Sequence, residues 1–512
     1  MFRFLWVVML VSITLLGVWL ASSLVAFAGG PPALAVVGGV VLFPILPLWW
    51  EKRATDAFHE NLRRARRLLP KKRALTAPTR IALRTVFLNL VFVAVLLVAS
   101  PKIAFAALAT NGDWFLGDEH GPWSDRTRAV LVASSSGLEW LHKAANDNPY
   151  RTKEDEQQPV PEDVKPLEVT TRFGSGARWR KSDPTEPQPI VKPDEPQLPT
   201  DPGLIEKPDE PPTKPPEPTP TEEPEDLGPW NVGETHWPWK EAPSAVVTGM
   251  TASDETSLEG VARYIAARTT DPFERVKALH DWAVTRLRYD HDSVTGKRKP
   301  QDAQTVFLNR MGVCEGYARL MVAFGKVTGD RIVYVTGDVR EDTGELMPVG
   351  HAWNAVEIKG AWYLMDVTWD DPTSAGEPNR DLYQTDYLFI PPQFMGLNHQ
   401  PDDQRWQLRQ VPLSRAEFLR QPLGTPALAK ERLTLISPAR PIVDVSDSFE
   451  LKLENPARAY VMLQIGDEQC GPVNDAELSL RCEVPSGVKE ANVFVGHQLV
   501  GQFDGLLTFK LR

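Results

Sequence analysis

Long apolar stretches with almost no charged residues make up the start of the chain. The first extends from Phe4 to Ala28, the second from Ala33 to Trp50, and the third lies near residues 82–109, where Pro101-Lys102 interrupts it. Stretches of this length can cross a bilayer as helices, and a membrane helix tolerates proline near its end. The pattern predicts a membrane domain over residues 1–110 with about three transmembrane helices.

Two segments without long apolar stretches follow. Apolar residues recur at helical spacing between Trp123 and Ala145, which predicts an amphipathic helix within a juxtamembrane segment, residues 111–150. Residues 151–243 contain 21 of the 46 prolines, and too few apolar groups to offset the entropy of folding. We expect a disordered, Pro/Glu-rich linker there. It is either a passive connection or a semi-stiff tether that lets the following domains reach away from the membrane.

Periodic patterns resume in residues 244–423 and mix helices with strands. An N-cap carboxylate, a proline and an acid in Asp271-Pro272-Phe273-Glu274 predict the start of a helix. His280 lies on the apolar face of that helix, so we interpret it as structural. Alternating apolar and polar positions after residue 350 predict strands. This segment is therefore predicted to be an α+β domain.

Short alternating runs separated by turn residues recur from about Glu431 to Arg512. They predict a small all-β, immunoglobulin-like sandwich over residues 424–512. Cys470 and Cys482 can form a disulfide in an exported domain, but Cys482 also fits a core-facing strand position. Both interpretations stay open at this point.

Charge is distributed unevenly over these segments. Residues 1–110 carry 13 Lys and Arg against 3 Asp and Glu, whereas the rest of the chain carries 43 against 64. An acidic soluble part argues against nucleic acid as a partner. The loop between the second and third apolar stretches, residues 51–84, carries 11 basic residues against 3 acidic ones. The positive-inside bias places such a loop in the cytoplasm.

We therefore expect an integral membrane protein whose soluble domains, after about residue 110, lie on the periplasmic or extracellular side. In an alternative interpretation residues 1–28 are a cleaved signal peptide, since Ala26-Phe27-Ala28 resembles a cleavage site. The soluble domains would lie on the same side of the membrane in both cases.

Candidate chemistry begins with the stretch GVCEGYA at residues 312–318. Gly312 indicates a tight turn and the residues from Glu315 to Lys326 have a helical pattern, so Cys314 is expected at a helix N-terminus. The backbone amides and the helix dipole there favour a thiolate, the reactive form of an acyl-transfer nucleophile. The alternative is a small buried core cysteine.

Two stretches of alternating pattern, GHAWNAVEI and AWYLMDVTW, predict antiparallel strands joined by a two-residue turn at Lys359-Gly360. This register places Asp366 opposite Trp353, so that Asp366 is a diagonal neighbour of His351 on the same face of the sheet. A carboxylate at that position can fix the tautomer of an imidazole and stabilise its charge. No ligand spacing such as CxxC or HExxH is present, so neither a metal site nor a cofactor is expected.

The order of these motifs carries a family resemblance. GVCEGYA, GHAWN and WYLMDVTWDDP resemble the transglutaminase-like superfamily of papain-like cysteine acyltransferases and proteases. LHDWAVTRLRYD upstream and NHQPDDQRWQL downstream are similar to its kyphoscoliosis peptidase-like branch, and the resemblance covers residues 255–410. It implies a papain-like α+β fold in which Cys314 is the nucleophile, His351 the general base and acid, and Asp366 the residue that orients His351. The membrane anchor and the Pro-rich segment are not part of this family pattern.

Acyl transfer also needs donors that stabilise the oxyanion. The backbone N–H of Cys314 can supply one, and Gln304 and Tyr289 are candidates for the second. Other residues near the predicted strand ends have aromatic or polar side chains that can border the cleft or serve packing: Trp353, Asn354, Trp369 and Asp370.

The leading interpretation is a membrane-anchored cysteine peptidase or amidase, or a protein acyltransferase, that acts through an acyl-thioester on Cys314. Its substrate would be a protein or peptide, with cell-wall peptides as one candidate, and hydrolysis is favoured over transfer to an amine. The alternative from another class is a non-catalytic scaffold that uses the fold and the C-terminal β-module to bind proteins or cell-wall peptides.

Overall fold

The computed structural model describes residues 2–64, 75–99, 101–117, 121–145, 148–151, 160–171, 230–340, 346–347, 349–376 and 383–512. Helices dominate up to residue 145, a domain of mixed helices and strands follows, and strands make up the C-terminal part.

The N-terminal helices are α1 (Phe2–Phe27), α2 (Pro32–Arg64), α3 (Ala77–Ala99) and α4 (Pro101–Asn111). Helix α1 packs against the other three, and Glu51 of α2 accepts hydrogen bonds from Arg80 and Arg84 of α3. By length and composition, Ala77–Val95 is the one helix of the described residues that can cross a membrane, and the apolar stretch Val11–Phe27 is shorter. One such span is found among the described residues, and the expectation of about three stays a prediction. The second apolar stretch continues into the charged half of α2.

Two short helices, α5 (Pro122–Ser136) and α6 (Glu139–Ala145), return the chain to the later domains. Nε2 of His142 on α6 lies 3.0 Å from Oδ2 of Asp338. Asp113, between α4 and α5, pairs with Arg420 at 2.7 Å and with Arg440 at 2.8 Å. The juxtamembrane segment is therefore docked directly on the domains that follow it.

The mixed domain contains the helices α7 (Ala245–Thr248), α8 (Leu258–Arg268), α9 (Pro272–Arg286), α10 (His291–Thr295), α11 (Ala303–Asn309), α12 (Cys314–Thr328), α13 (Pro392–Met395), α14 (Arg415–Arg420) and α15 (Ala427–Lys430). Its strands are β1 (Val169–Thr171), β2 (Trp230–Val232), β3 (Thr235–Trp237), β4 (Arg288–Tyr289), β5 (Met311–Gly312), β6 (Arg331–Val339), β7 (His351–Ile358), β8 (Ala361–Met365), β9 (Leu388–Ile390) and β10 (His399–Pro401). The predicted helix start at Asp271 is confirmed, because its carboxylate accepts from the N–H groups of Phe273 and Glu274.

A five-stranded antiparallel sheet in the order β10-β6-β7-β8-β9 is the centre of this domain, and α12 packs against β6 and β7. Strands β7 and β8 pair Ile358 with Ala361 and Asn354 with Met365. The turn between them has positive φ at Lys359 (52°) and Gly360 (82°), as a two-residue hairpin turn of the favoured hand requires. The predicted register of these strands is confirmed.

Both ends of the segment expected to be a linker, residues 151–243, carry secondary structure. Strand β1 pairs antiparallel with β2, with Thr171 opposite Trp230, and β2 pairs with β3. Trp230 and Trp237 are buried in the core of the mixed domain, which explains why this end of the Pro-rich segment folds. The middle of the expected linker, 172–229, lies outside the described residues. Because its two ends are strand neighbours, this segment cannot set the distance between the mixed domain and the membrane helices, and the tether interpretation is wrong.

The C-terminal strands are β11 (Leu423–Gly424), β12 (Thr434–Ser437), β13 (Ile442–Val443), β14 (Ser448–Glu454), β15 (Tyr460–Ile465), β16 (Glu468–Val473), β17 (Glu477–Glu483), β18 (Glu490–Gly496) and β19 (Asp504–Leu511). One sheet has the order β11-β19-β18-β15-β16 with β13 beside β19, and the other has the order β12-β14-β17. Phe449 and Phe509 meet between them, with ring centroids 5.3 Å apart. A disulfide between Cys470 and Cys482 joins edge strands of the two sheets. The immunoglobulin-like assignment stays a prediction.

Candidate active site

Cys314 is the first residue of α12, at the turn that follows β5. An added Cβ at Gly316 would lie 2.6 Å from Oε1 of Gln301 and 2.7 Å from Cγ2 of Val306. Glycine therefore lets the first turn of α12 approach α11 closely. The N–H of Val313 donates to Oε1 of Gln301 at 2.9 Å, which fixes the turn before Cys314.

His351 begins β7, and Asp366 follows β8 directly. Nε2 of His351 lies 2.6 Å from Oδ2 of Asp366, and Cys314 is close enough to the imidazole to raise its pKa. Since Nε2 faces the carboxylate, Nδ1 is the nitrogen left for proton exchange with the sulfur. Oδ1 of Asp366 accepts from the N–H groups of Thr368 and Trp369 at 2.9 and 3.3 Å, so the carboxylate is held from both sides.

These three side chains are withdrawn from solvent: Cys314 is 1% exposed, His351 3% and Asp366 0%. Burial lowers the pKa of His351, but the Asp366 carboxylate and Cys314 outweigh it and raise this pKa to about 10. Burial raises the pKa of Asp366, yet the charge and hydrogen bond of His351 hold that pKa well below its ordinary value. The site therefore favours a protonated imidazole between a sulfur and a carboxylate.

Asp366 has a second histidine partner, which the motifs indicated only through the NHQPDDQRWQL stretch. Nε2 of His399 lies 3.0 Å from the same Oδ2 atom. Burial lowers the pKa of His399 to about 4 in spite of the Asp366 carboxylate, so the ring is neutral at pH 7. Nδ1 of His399 lies 2.6 Å from Oδ1 of Asn398, and the NH2 group of Asn398 donates to the Tyr387 hydroxyl at 2.7 Å.

Two tryptophans predicted at the cleft surround these histidines. The Trp353 ring is buried, 6.0 Å from the His351 ring and 5.1 Å from the His399 ring. The Trp369 ring is half-buried, 5.8 Å from His351 and 4.4 Å from His399. Trp353 therefore packs behind the site, whereas Trp369 borders it.

Asn354 has a packing role instead of a place in the cleft. Its side-chain NH2 donates to the carbonyl groups of Ala318 on α12 and Val333 on β6, each at 3.0 Å. The buried amide thereby connects the helix that carries Cys314 to the sheet that carries His351.

The two oxyanion candidates lie in different environments. Tyr289 packs against the cluster that contains Cys314, and burial together with Cys314 raises the pKa of its hydroxyl, which keeps it a donor. Gln304 is exposed on α11, and no described hydrogen bond joins it to the Cys314 turn. The glutamine at that turn is Gln301, which presents an acceptor oxygen. Tyr289 stays a candidate donor, and the structure does not place Gln304 at the site.

His280 is part of a buried network next to the site. Its ring nitrogens lie 3.0 Å from Oδ1 of Asp281 and 3.0 Å from Oδ2 of Asp370, and Asp370 also accepts from the N–H of Tyr387. Burial raises the pKa of Asp370 to about 6, although His280 opposes this. The network fixes the loop that follows Asp366, which is the structural role expected of His280, and it removes Asp370 from the cleft.

His351, Asp366 and His399 also present nitrogen and oxygen atoms within 4.8 Å of one another. Such donors suit zinc and related divalent metals. In this arrangement the same atoms are hydrogen-bonded to each other, and a metal would have to break the His351–Asp366 hydrogen bond. These side chains cannot act as a proton relay and as metal ligands at the same time.

A groove of about 1150 Å³ opens between the mixed domain and the C-terminal sheets. Trp369, Tyr387 and Asn398 line it on one side, and Phe494 and Asp504 line it on the other. Trp369 therefore lines this groove and also borders the site on the side of His351.

Tyr150 also lies at the site, although no motif indicated it. Its side chain packs in one buried cluster with Cys314, and the residue is 5% exposed. No local sequence signal connects a tyrosine before the Pro-rich segment with a cysteine far beyond it.

Residues 259–367 match the family profile of the Transglutaminase-like superfamily. The kyphoscoliosis peptidase of Mus musculus is 31% identical over 153 residues, and that of Homo sapiens is 29% identical over 153 residues. Each alignment covers 28% of this chain and 23% of the relative, so the chain spans about a quarter of the length of the curated relatives it matches. A solved structure described as "Crystal structure of a TGase" is 16% identical, with a TM-score of 0.19, and covers 23% of this chain and 34% of its own.

The matched region contains the helix of Cys314, the strand of His351 and the strand before Asp366, in the order that the motifs predicted. The mixture of helices and strands in this region agrees with the expected α+β class. Proteins with this fold are usually cysteine-based enzymes. Residues 259–367 are therefore a transglutaminase-like domain, and this part of the chain is similar to the kyphoscoliosis peptidases.

Proposed function

We propose that this protein is a membrane-held, cysteine-dependent peptidase, amidase or acyltransferase that forms an acyl-thioester on Cys314. One observation carries the proposal: the 2.6 Å hydrogen bond between the His351 imidazole and the Asp366 carboxylate, with Cys314 close enough to His351 to raise its pKa. A nucleophile, a base and a group that orients the base are the parts that covalent acyl transfer requires.

In the proposed reaction the proton of Cys314 passes to Nδ1 of His351 while the sulfur attacks the carbonyl carbon of an amide. The N–H of Cys314 and the hydroxyl of Tyr289 are candidate donors to the oxyanion. His351 then gives the proton to the leaving amine, the C–N bond breaks, and a thioester remains. Water or an amine, deprotonated by His351, attacks the thioester and releases Cys314.

The electrostatics of the site support this first step. The imidazolium form of His351 is the product of proton transfer from Cys314, and the raised pKa of His351 means that this form is stabilised. The two N–H groups on Oδ1 of Asp366 hold the carboxylate for that task.

A polypeptide is the proposed substrate class, and hydrolysis is the favoured second step. The groove beside Trp369, at about 1150 Å³, is larger than the 300–1,000 Å³ of most small-molecule sites, which supports a polymeric ligand. Cell-wall peptides remain one candidate within this class.

We also propose that the N-terminal helices hold the protein in a membrane, with its soluble domains on the periplasmic or extracellular side. The apolar Ala77–Val95 helix and the basic residues before it support this arrangement. The Cys470–Cys482 disulfide supports an oxidising compartment. A reporter fused after Arg512 should be active only outside the cytoplasm, and cytoplasmic activity would overturn the sidedness.

The catalytic proposal is tested with the full chain in detergent and its Cys314→Ala variant. Both are treated with a thiol-reactive activity probe, and ammonia release from glutamine-containing peptides is measured with and without an added amine. We expect probe labelling and ammonia release only with Cys314. Incorporation of the amine into the peptide would assign transamidation, and a Cys314 that neither labels nor turns over would favour the scaffold alternative.

A further inference from the structure

A short piece of the juxtamembrane segment, residues 148–151, lies across the proposed nucleophile. Asn148 and Tyr150 are 6% and 5% exposed, although they belong to a surface connection between α6 and β1. With this piece in place Cys314 is 1% exposed, so an amide substrate has no path to the sulfur. The segment must leave before the proposed chemistry can begin.

Tyr150 makes the central contacts. Its side chain packs in one buried cluster with Cys314, Val313 and Ala352. The guanidinium of Arg298 lies over its ring, 4.6 Å from the ring centroid. The Tyr334 hydroxyl donates to the Tyr150 carbonyl at 2.7 Å, and Arg298 donates to the carbonyl of Pro149 at 3.4 Å. Backbone and side chain are thus both held by groups of the mixed domain.

Asn148 fits against the residue that precedes His351. Gly350 has φ +70°, and an added Cβ there would lie 2.7 Å from Nδ2 of Asn148. The same Nδ2 is 3.5 Å from the carbonyl of Gly337 on β6, and Oδ1 of Asn148 accepts from the N–H of Tyr150 at 3.0 Å. Glycine at position 350 therefore provides the space that this side chain occupies.

These contacts are of the kind that bind a peptide. Backbone carbonyl groups are held by side-chain donors, one aromatic ring fills a site beneath a cation, and a polar side chain fills a second site. The surface formed by Arg298, Tyr334 and Gly350 is complementary to a short peptide and ends at the nucleophile.

We propose that residues 148–151 act as an intramolecular peptide that competes with substrate for the surface beside Cys314 and so slows the enzyme, and that this surface takes a polypeptide with an aromatic residue at the place of Tyr150. This inference rests on the proposed role of Cys314 as the nucleophile. It adds the substrate class of the site and an internal competitor for it.

The anchoring of α6 makes the competitor effective. Helix α6 ends at Ala145, and its His142 is hydrogen-bonded to Asp338, which Arg415 also contacts. Helix α6 therefore holds residues 148–151 close to the site. A short connection of this kind gives the segment a high effective concentration at the substrate surface. A movement of α6, which packs on α4, would withdraw it.

The first test measures alkylation of Cys314 by a small neutral thiol reagent in the full-length protein. Cys314 is the free cysteine of the chain, since Cys470 and Cys482 are bonded, so its modification is read directly by mass. Tyr150→Ala and Asn148→Ala should each raise the alkylation rate about tenfold or more, because an occupied site blocks the reagent. Tyr460→Ala, a tyrosine of the C-terminal sheets, is the matched control and should leave the rate unchanged.

The second test measures binding of a fluorescent, end-blocked peptide Asn-Pro-Tyr-Arg to the Cys314→Ala/Tyr150→Ala double variant by anisotropy. We expect binding to this variant, weaker binding to the Cys314→Ala chain with Tyr150 in place, and none of the peptide with alanine for tyrosine. Equal alkylation rates in all chains, or no peptide binding to the double variant, would overturn the inference. Fast alkylation without turnover of any peptide would overturn the proposed function and leave the internal competitor in place.

Discussion

At Asp366 a single carboxylate oxygen is within hydrogen-bond distance of two imidazoles, 2.6 Å from His351 and 3.0 Å from His399. An amide in place of this carboxylate has nearly the same shape, but it carries no negative charge, and its NH2 group cannot accept a hydrogen bond from either ring. We expect Asp366→Asn to lower kcat/KM on a cleavable peptide by about 10³-fold or more, as loss of the orienting acid does in triads. Asp475→Asn, at an exposed site in the C-terminal sheets, is the control and should be neutral.

His399 acts as a positioning residue through Asp366. His399→Leu removes a hydrogen bond to a buried carboxylate and should lower kcat about tenfold or more, because such bonds contribute roughly 1.5–3 kcal/mol. His399→Gln can still donate a hydrogen bond to Asp366. It should therefore recover most of the loss in kcat and restore the acidic limb of the pH–rate profile. Equal losses in the two variants would mean that His399 contributes packing alone.

The raised pKa of His351 predicts how stability depends on pH. The fold raises this pKa from 6.5 to about 10, so the protonated form is the one that the fold favours. Its stabilisation is complete below about pH 6.5 and is lost as the pH rises toward 10. The free energy of unfolding of the parent protein, measured relative to His351→Gln by urea titration, should therefore decline between pH 7 and pH 10. A difference that stays constant over this range would contradict the assignment.

Among the secondary-structure elements, the β7–β8 hairpin determines the geometry of the site. Its turn places Lys359 and Gly360 at positive φ, and its register brings Asp366 to the face of His351. Gly360→Val should destabilise the protein by about 1–2 kcal/mol, because a branched residue resists this conformation. One residue inserted after Lys359 shifts the register by one and should abolish activity in a protein that still folds. Urea titration and peptide cleavage separate the two effects.

The same hairpin shows why part of the site was predictable from sequence. A side-chain period of two and a two-residue turn are local properties, so the common face of His351 and Asp366 follows from counting residues. The position of Cys314 at the start of α12 is equally local, since a turn signal and a helical pattern meet there.

Residues that reach the site through distant contacts were not predictable in this way. Tyr150 packs near Cys314 because α6 docks on the mixed domain. Strand β1 pairs with β2 in a position that depends on the burial of Trp230 in the core. Gln304 and Gln301 look alike in the sequence, and only packing decides which of them touches the Cys314 turn. Such contacts depend on tertiary structure, which no local period encodes.

For the molecule as a whole, Asp113 holds the N-terminal helices and the later domains together. It is 1% exposed and pairs with Arg420, Arg440 and Arg128. Asp113→Ala leaves three guanidinium groups without this carboxylate and should destabilise the docked arrangement by roughly 2–3 kcal/mol. The loss is not larger because the arginines remain partly hydrated. A lower Tm and faster limited proteolysis of the segment after α5 are the expected signs.

Asp125→Ala is the matched control for this change. Asp125, in the first turn of α5, also pairs with Arg128, but the side chain of Asp125 is 30% exposed. Surface pairs of this kind contribute little, so its Tm should match that of the parent protein. Equal effects of the two substitutions would show that the domains are joined by contacts other than Asp113.

The pairing of Thr171 with Trp230 has a consequence for how this protein can vary. The Pro-rich segment leaves and returns at the same point on the surface, so its length is uncoupled from every distance that catalysis needs. Doubling a loop adds only about 0.6 kcal/mol to the entropy of closing it. Residues can therefore be added or removed here with little effect on the fold, and the position is suited to carrying an affinity tag or a fluorescent domain.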